Sequence, residues 1–310
     1  MKNIRKSKVS LFWVWLADSI GVFLSFFFRR KRLTATHDFP PPFFIIGCGR
    51  SGNTLLRSIL VANDQLVIPP ESYIWPRAIR RFKAYGFLPW DVLSSMVVSE
   101  FEAYRAFNTW EINLFEAHQS VRKLPRSKQT LSHIFHHIYS RFSLEKGFKG
   151  RRWGDKTPIN TIYADKILKV FPKAQFIFLE RDPRDVVCSY VKAGLYEEYE
   201  SPARFWKACK DMSVKLQKKL PEDQVLLVTY EDLVRKPEYE VQQICTFLRI
   251  KYSPELLNYW QKTEHLGDVN YRAHHENIKS PITTDSIGKW KGQLSQEDLN
   301  KISEITKYKT

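Results

Sequence analysis

The chain is poor in cysteine and lacks the usual marks of a secreted protein. Only four of its 310 residues are cysteine, and none belongs to a Cys-x-x-Cys pair. This excludes a disulfide framework, and we expect reduced thiols rather than a thiolate metal site. No Asn-x-Ser/Thr sequon occurs, which disfavours a glycosylated lumenal protein. Repeats and low-complexity tracts are also lacking, so one or two globular domains are expected.

Negative charge is scarce as well. Asp and Glu number 33 against 49 Lys and Arg, which leaves a net charge of +16. Residues 1–32 hold eight of the basic residues against one Asp, so they contribute +7 and the remainder +9. Such an excess indicates anionic partners. The split favours anionic lipid for the first segment and phosphate groups for the rest, and no nucleic-acid-binding motif is present.

The one long apolar run, Val9 to Phe28, lies between two basic clusters. A helix of this length extends about 30 Å, enough to cross a bilayer. We therefore predict a membrane-associating segment over residues 1–35 with a transmembrane helix at 9–28, although Asp18 is costly inside it. The two alternatives are a helix that lies in the membrane interface with basic ends, and a soluble helix.

The rest of the sequence is organised around Phe43 to Leu56, FFIIGCGRSGNTLL. Four apolar residues predict a strand buried on both faces, and three glycines lead from it into a helix. The spacing of Gly47, four residues and Gly52 is that of a phosphate-binding loop, except that Asn53 replaces the usual lysine. That lysine serves the β- and γ-phosphates of a triphosphate. Its absence predicts a phosphate-like ligand without a γ-phosphate.

A second anion site is predicted further along the chain. The segment Gln175 to Glu180 is typical of another buried strand, and Arg181 follows it directly. Pro183 suits the first turn of the next helix, which carries Ser189 about two turns beyond Arg181. A cation at a strand end and a hydroxyl on the following helix could bind an anion together. The alternative is a turn held by salt bridges among its own charged residues, Arg181, Asp182, Arg184 and Asp185.

Two further residues are candidates for chemistry. Glu71 follows a short predicted strand, so it would lie at the sheet edge where ligands of open α/β folds collect, and it could act as a base. Its position equally allows a solvated turn residue. Lys156 lies in a predicted polar turn, WGDKTP, where it could neutralise an anion or simply cap the surface. Three histidines at 133, 136 and 137 share helical spacing, but without a carboxylate motif we expect no metal site.

The order of the predicted elements indicates the fold. Strands alternate with helices, and a third buried strand is predicted at Val225 to Thr229. We expect an α/β fold over residues 40–310, a P-loop three-layer α/β/α domain with a central parallel sheet. Residues 74–150 have mainly helical patterns and are too long for a simple crossover, so we predict a helical cap insertion there.

Several motifs together resemble the sulfotransferases that use 3′-phosphoadenosine-5′-phosphosulfate (PAPS). Three stretches carry the resemblance, GCGRSGNTLL (47–56), LERDPRDVVCSY (179–190) and SIGKWKG (286–292), and two support it, PPESYIWPR (69–77) and WGDKTP (153–158). It covers most of 43–295 and is closest to the branch of tyrosylprotein sulfotransferases and their bacterial relatives. The resemblance implies an enzyme that moves a sulfuryl group from PAPS to a hydroxyl or amine by in-line displacement, without a metal.

The resemblance also implies a role for each matching residue. The 5′-phosphosulfate would be bound by Arg50, Ser51, Gly52, Asn53 and Thr54. The 3′-phosphate would be bound by Arg181 and Ser189, with Tyr230 and Lys289 near the nucleotide. Glu71 matches the family's catalytic base, and Lys156 matches the lysine that stabilises the leaving phosphate. Tyr73 and Ala193 stand where the tyrosylprotein enzymes have arginines, which argues against a protein-tyrosine acceptor but not against the donor.

The acceptor is not specified by these motifs, and the membrane-associating segment favours a hydroxyl on a glycan or a lipid-linked molecule. Reduced cysteines and the lack of sequons favour a catalytic domain on the cytoplasmic side, with a type II arrangement in the Golgi lumen as the alternative.

Two other functions compete: a P-loop kinase or NTPase, and a non-enzymatic, membrane-tethered protein that binds polyanions. The second would bind them with steep salt dependence and without a specific adenosine bisphosphate site.

Overall fold

The computed structural model describes residues 11–24, 27, 31–148, 152–261 and 280–308. Within them, five strands form one sheet in the order β2-β3-β1-β4-β5, and all neighbouring pairs are parallel. The strands are β1 (Phe43–Gly47), β2 (Leu66–Val67), β3 (Arg152–Lys156), β4 (Gln175–Glu180) and β5 (Val225–Thr229). The predicted α/β fold with a central parallel sheet is therefore confirmed.

Twelve α-helices are found in the described chain. They are α1 (Leu11–Leu24), α2 (Asn53–Val61), α3 (Trp75–Ala84), α4 (Trp90–Glu102), α5 (Phe115–Arg122), α6 (Leu131–Glu145), α7 (Ala164–Leu168), α8 (Pro183–Lys192), α9 (Glu200–Lys219), α10 (Tyr230–Arg235), α11 (Pro237–Leu248) and α12 (Gln296–Thr306). Shorter 3₁₀ segments cover Phe107–Trp110, Arg126–Lys128, Pro158–Tyr163 and Pro254–Gln261.

Strand β1 is at the centre of the sheet and is buried on both faces. Phe44 and Ile46 belong to one apolar cluster, whereas Phe43 and Ile45 belong to another. Alternate side chains of a strand point to opposite faces, so each face of the sheet is covered by its own layer. The loop that follows β1 is held by neighbours on both sides, since β3 and β4 pair with this strand.

The four helices α3 to α6 lie between β2 and β3 in the chain and pack on one face of the sheet. Trp75 of α3 stacks on Phe135 of α6 with ring centroids 3.9 Å apart, and it contacts Phe44 of β1 edge to face at 5.2 Å. All three side chains are fully buried. The insertion therefore shares a core with the sheet, and its first helix begins next to Glu71 at the end of the sheet.

The segment WGDKTP differs from its prediction as a polar turn. Trp153 to Lys156 lie in β3, and these four residues are buried. The strand pairs with β1 on one side and with β2 on the other. Three of the five residues of β3 are charged, Arg152, Asp155 and Lys156, so the strand lacks the apolar pattern by which a buried strand is recognised.

The N-terminal helix covers only part of the predicted segment 9–28, of which residues 9, 10, 25, 26 and 28 lie outside the described residues. Helix α1 has 14 residues, and no helix within the described ranges is long and apolar enough to cross a bilayer. The prediction of a transmembrane helix at 9–28 is therefore wrong. Asp18, in the middle of the apolar run, is buried toward α3 with its Oδ2 atom 3.4 Å from Arg80 Nε. One side of α1 is thus packed against protein.

Candidate active site

The loop between β1 and α2 has the backbone of an anion site. Arg50 and Gly52 adopt the left-handed conformation, with φ of 68° and 92°. Such residues in a tight turn direct successive N–H groups toward one point, and the N-terminus of α2 follows immediately. A Cβ at Gly49 would lie 2.2 Å from the hydroxyl oxygen of Tyr190, and one at Gly52 would lie 2.5 Å from the Tyr230 ring. The loop therefore requires glycine at both positions.

Asn53 has a structural task in place of the usual lysine. Its Nδ2 atom donates to the carbonyl oxygen of Cys48 at 2.8 Å, so the side chain turns back toward the loop that it follows. The loop is also held from outside, because the Thr161 hydroxyl accepts from Gly47 N at 2.7 Å. Both contacts fix the loop without adding a cation to it.

Glu71 and Lys156 form a buried ion pair at the carboxyl end of the sheet. Lys156 Nζ lies 2.6 Å from Glu71 Oε1 and 3.2 Å from Thr54 Oγ1. Lys156 is the last residue of β3 and is fully buried, and Thr54 lies in the first turn of α2. A single cation thus connects a candidate base to the phosphate-binding loop. Neither charge is replaceable by itself, because removing one leaves the other buried and uncompensated.

Asp155 supports the ion pair of Glu71 and Lys156 through a network of buried hydrogen bonds. Its carboxylate accepts hydrogen bonds from four side chains: Tyr139 Oη at 2.5 Å, Trp75 Nε1 at 3.2 Å, Ser72 Oγ at 3.3 Å and Asn160 Nδ2 at 2.8 Å. Burial raises the pKa of Asp155, while these donors act in the opposite direction. Since Asp155 adjoins Lys156 and Ser72 adjoins Glu71, the network holds the two segments together.

The second predicted anion site is continuous with the first. Arg181 Nη1 donates to the carbonyl oxygen of Arg50 at 3.0 Å, and Arg50 Nε donates to Ser189 Oγ at 3.0 Å. Burial lowers the pKa of Arg50, and the positive charge of Arg181 acts in the same direction. Two guanidinium groups are thus brought together in a partly buried place, an arrangement that an anion would stabilise.

Tyr230 packs against both loops. The Arg181 guanidinium lies 4.4 Å from the centroid of its ring, and the same ring contacts Gly52. The backbone carbonyl of Arg181 accepts from Trp206 Nε1 at 2.9 Å. The arginine is therefore held by its main chain, by a cation–π contact and by the loop.

Asp185 attaches the tail of the chain to this site. Its carboxylate accepts from Gly288 N at 2.8 Å and from Trp290 N at 3.0 Å, and it lies 3.8 Å from Arg181 Nη2. Arg181 also donates to the carbonyl of Ser286. The tail loop around Lys289 is thus placed beside the second anion site, but the Lys289 side chain itself is exposed. The salt-bridged turn considered as an alternative is present in part, because Arg184 and Asp182 pair at 2.6 Å.

The site has donors that an anionic ligand would satisfy. In the described structure, Ser51 Oγ and Arg181 Nε are buried and have no hydrogen-bond partner. Buried polar atoms without partners are rare in folded proteins and call for an explanation such as a ligand. Both atoms can donate to phosphate oxygens. The loop and the second site therefore fit a ligand with more than one phosphate group.

Most of the predicted site residues lie close together in the structure, but the residues that support them were not predicted. The structure brings together every predicted site residue except the side chain of Lys289. Asp155 and Asp185 were missed as supports, although each adjoins or lies within a motif that was recognised. Thr161 gave no signal at all, because nothing in the sequence relates it to Gly47, 114 residues away.

The comparisons with known proteins agree on one family. The profile of the sulfotransferase family matches residues 41–254, more than half of the chain. A putative protein-tyrosine sulfotransferase of Caenorhabditis briggsae is 24% identical over 275 residues, 86% of each chain. The protein-tyrosine sulfotransferase of Drosophila melanogaster is 20% identical over 274 residues, and the match spans 86% of this chain but half of that protein. The omega-hydroxy-beta-dihydromenaquinone-9 sulfotransferase of Mycobacterium bovis is 24% identical over 274 residues, with 74% and 69% covered.

Solved structures show the same fold. The sulfotransferase domain of the Synechococcus olefin synthase aligns with a TM-score of 0.61 at 22% identity, covering 91% of this chain and all of that domain. The sulfotransferase domain from the curacin biosynthetic pathway aligns with a TM-score of 0.57 at 22% identity, covering 88% and 99%. The parallel sheet, the glycine-rich loop and the family match lead to one conclusion: this chain is an enzyme that belongs to the sulfotransferase family.

Proposed function

We propose that this sulfotransferase takes its sulfuryl group from PAPS and transfers it to a hydroxyl, or an amine, of an acceptor. The contact between the two anion sites supports this donor best. Arg50 of the first loop donates to Ser189 of the second site, and Arg181 of the second site donates back to the carbonyl of Arg50. Two such sites in contact suit a nucleotide with phosphate groups on both its 3′ and its 5′ carbon. An ordinary nucleoside triphosphate requires only the first.

Each end of the nucleotide has its own proposed residues. The 5′-phosphosulfate would be held by the loop, through Arg50, Ser51, Gly52, Asn53 and Thr54. The 3′-phosphate would be held by Arg181 and Ser189, with Tyr230 and Lys289 beside the nucleotide. Ser51 Oγ lies in the loop and Arg181 Nε in the second site, so each end of the nucleotide would meet one buried donor that has no hydrogen-bond partner in the described structure, which supports this assignment.

The chemistry follows from the charges at the sheet edge. When bound, PAPS supplies an activated sulfuryl group: the acceptor oxygen forms a bond to sulfur, and the bond from sulfur to the 5′-phosphate oxygen breaks. Glu71 accepts the proton that the acceptor hydroxyl loses. Lys156 pairs with Glu71, and its contact with Thr54 brings its charge to the loop, where it offsets the charge of the departing phosphate.

The acceptor is proposed to be a hydroxyl on a glycan or a lipid-linked molecule. Tyr73, two residues after the proposed base, has φ of 50° and a ring that is 42% exposed and stacks with Tyr104 at 6.0 Å. This conformation costs about 1–2 kcal/mol for a residue other than glycine, and such strain concentrates at functional sites. An exposed aromatic face suits a sugar ring or an apolar group better than an acidic peptide. The name of the Mycobacterium bovis relative, which gives a hydroxylated quinone, agrees with this choice.

The division of the chain and its location are part of the same proposal. Residues 1–35 would associate with a membrane, and residues 40–310 would form the catalytic domain with its helical cap. The side that this domain occupies stays a prediction, with the cytoplasmic side and the Golgi lumen as the two arrangements. Membership of the sulfotransferase family disfavours both the kinase and the non-enzymatic scaffold.

Calorimetry tests the proposed donor directly. Purified protein should bind adenosine 3′,5′-bisphosphate at least about tenfold more tightly than adenosine 5′-monophosphate, because a charged contact to the 3′-phosphate contributes about 1.5–3 kcal/mol. Arg181→Ala should lose that preference. Arg122→Ala, which removes an arginine from the surface of α5, is the matched control. Failure to bind the bisphosphate, or equal affinity for both nucleotides, would contradict the proposal. Labelled PAPS incubated with an extract of the source cells would then identify the acceptor.

A further inference from the structure

Helix α1 presents an apolar aromatic face that the catalytic site does not use. Of the large apolar side chains exposed in the described structure, six lie between residues 12 and 27: Phe12, Trp13, Trp15, Ile20, Phe23 and Phe27, each at least half exposed. Single exposed apolar residues are ordinary, but a contiguous group of aromatic residues marks a contact surface.

This face is directed away from the protein by contacts on the opposite side of α1. Asp18 and Gly21 are buried against α3. With a turn of about 100° per residue, Phe12, Ile20 and Phe23 lie on the far side of the helix from them. Phe12, Trp13, Ile20 and Phe23 therefore form one stripe, which we call the α1 aromatic face, whereas Trp15 lies at its edge against Arg80.

The attachment of α1 is specific. Arg80 of α3 pairs with Asp18 at 3.4 Å and donates to the carbonyl oxygen of Trp15 at 2.7 Å. A Cβ at Gly21 would lie 3.2 Å from the carbonyl oxygen of Ala84, so the two helices approach closely. Asp18 is the one negative charge among residues 1–32, and because it is buried and paired with Arg80, the outer face of α1 carries no negative charge.

The charge of the sequence before and after α1 indicates the partner of this face. Eight basic residues occur among residues 1–32, in two clusters that precede and follow α1. Tryptophan and phenylalanine insert at the level of lipid headgroups, and basic residues beside them are attracted to anionic lipids. We propose that the α1 aromatic face docks on the surface of an anionic lipid bilayer, with the helix lying in the interface.

Docking would also bring the active site near the bilayer. Helix α3 begins directly after Glu71 and Tyr73, and its second half carries α1. With a rise of 1.5 Å per residue, Arg80 and Ala84 lie about 8 and 14 Å along α3 from Trp75, which follows Glu71 by four residues. A hydroxyl on a membrane-borne acceptor is within that range. Only this last step rests on the proposed function, because binding to lipid requires neither PAPS nor an acceptor.

Vesicle sedimentation with the full chain tests the inference. Wild-type protein should sediment with vesicles of phosphatidylcholine and phosphatidylglycerol at low salt, and weakly with phosphatidylcholine alone or at high salt. The combined variant Phe12→Ser, Trp13→Ser and Phe23→Ser should lose at least tenfold in partitioning. A control variant, Phe115→Ser with Tyr239→Ser, removes two equally exposed aromatic side chains elsewhere and should partition like wild type.

Two further measurements make the outcome decisive. Circular dichroism checks that the α1 variant is folded, so a failure of all proteins to bind adenosine 3′,5′-bisphosphate in calorimetry would overturn the donor while leaving the vesicle result valid. Light scattering without lipid gives the oligomeric state. Equal sedimentation of wild type and α1 variant would overturn the inference. So would a wild-type dimer that becomes a monomer in the α1 variant, because the face would then bind a second copy.

Discussion

Glu71 and Lys156 are 85 residues apart in the chain and 2.6 Å apart in the structure. Each residue by itself allows an ordinary surface interpretation, and the sequence did not favour a functional one until the family motifs were considered. Their burial changes this, because a solvated turn residue and a surface cap would both be exposed. Burying the Glu71 carboxylate and the Lys156 ammonium group beside the glycine-rich loop costs desolvation free energy. Such buried charged pairs therefore point to a role in chemistry.

Removal of either member of this pair should affect turnover more than donor binding. We expect Glu71→Ala and Lys156→Ala each to reduce kcat by about 100-fold or more, since a positioned base or charge partner contributes that much to the transition state. Affinity for adenosine 3′,5′-bisphosphate, measured by calorimetry, should change little. Glu116→Ala, at an exposed site on α5, serves as the control. Full activity in either variant would exclude the assigned role.

The pair also predicts a shift in the pH dependence. Replacing Lys156 with Met leaves the Glu71 carboxyl buried without its cation, which raises the pKa of that carboxyl. The base must be ionised to act, so the acidic limb of kcat/KM against pH should move upward by about one unit or more. Lys156→Arg retains the charge and should leave the limb near its original position. An unchanged limb in Lys156→Met would mean that Glu71 is not the base.

At the scale of elements, the second anion site is completed by the tail. The loop around Lys289 contacts α8 through Asp185, whose carboxylate accepts two of its backbone N–H groups. Arg184 adds a cation–π contact to Trp290 at 4.1 Å. One buried carboxylate therefore couples Arg181 to a loop that is about 100 residues further along the chain.

Asp185→Asn should weaken nucleotide binding without unfolding the protein. The amide keeps the size of the carboxylate, but it removes the charge opposite Arg181 and presents one acceptor where there were two. We expect affinity for adenosine 3′,5′-bisphosphate to fall about tenfold, in line with the loss of one charged hydrogen bond, and Trp290 fluorescence to change. Asp165→Asn, which alters a surface pair, is the control. Wild-type affinity in Asp185→Asn would show that the tail loop does not support the site.

At the scale of the whole molecule, a histidine cluster attaches residues 37–39, which precede β1, to the helical insertion. His136 stacks on Phe39 at 3.7 Å, and His37 stacks on Phe39 at 4.6 Å. His133 is buried, and its Nδ1 atom lies 2.8 Å from Thr130 Oγ1. Burial lowers the pKa of His133 to about 4 and that of His136 to about 3, and Asp38 opposes the effect in both.

This cluster should make the fold sensitive to mild acid. Above pH 6.5 both histidines are neutral in the folded and unfolded states. Between pH 6.5 and the lowered folded pKa values the unfolded chain binds protons that the folded protein does not, so the free energy of unfolding falls as the pH falls. The full shifts of both groups correspond to a loss of about 4 kcal/mol between pH 7 and pH 5, and because His136 is partly exposed we expect about 2–3 kcal/mol. Urea denaturation at the two pH values measures it.

A substituted chain identifies the histidines as the cause. The variant His133→Gln with His136→Phe should show a smaller loss between the same pH values. His118→Gln, which changes a histidine paired with Glu102 on another helix, should behave like wild type. Burial raises the pKa of Asp155, so this group changes the free energy of unfolding with pH in the opposite direction to the histidines. Equal pH dependence in all three proteins would show that His133 and His136 are not the cause.

The sequence predicted those parts of the fold that depend on local pattern. Phe43 to Ile46 and Gln175 to Glu180 were recognised because a buried parallel strand is continuously apolar. Strand β3 was missed, since its polar residues are buried by specific hydrogen bonds such as that of Asp155 with Asn160 at 2.8 Å. The transmembrane prediction failed for a related reason. An apolar run does not reveal that Asp18 has a partner on another helix.

The sequence by itself determined the glycine-rich loop, the arginine that follows β4 and the parallel α/β arrangement, because each follows from residues that are neighbours in the chain. Only the tertiary structure decided that Arg50 contacts Ser189, that Lys156 pairs with Glu71 and that Asp185 holds the tail. The residues in these contacts are 139, 85 and 103 positions apart in the chain, respectively. The physical reason is topological. Parallel strands bring their carboxyl ends to one edge of the sheet, and the sequence pattern does not predict which side chains meet at that edge.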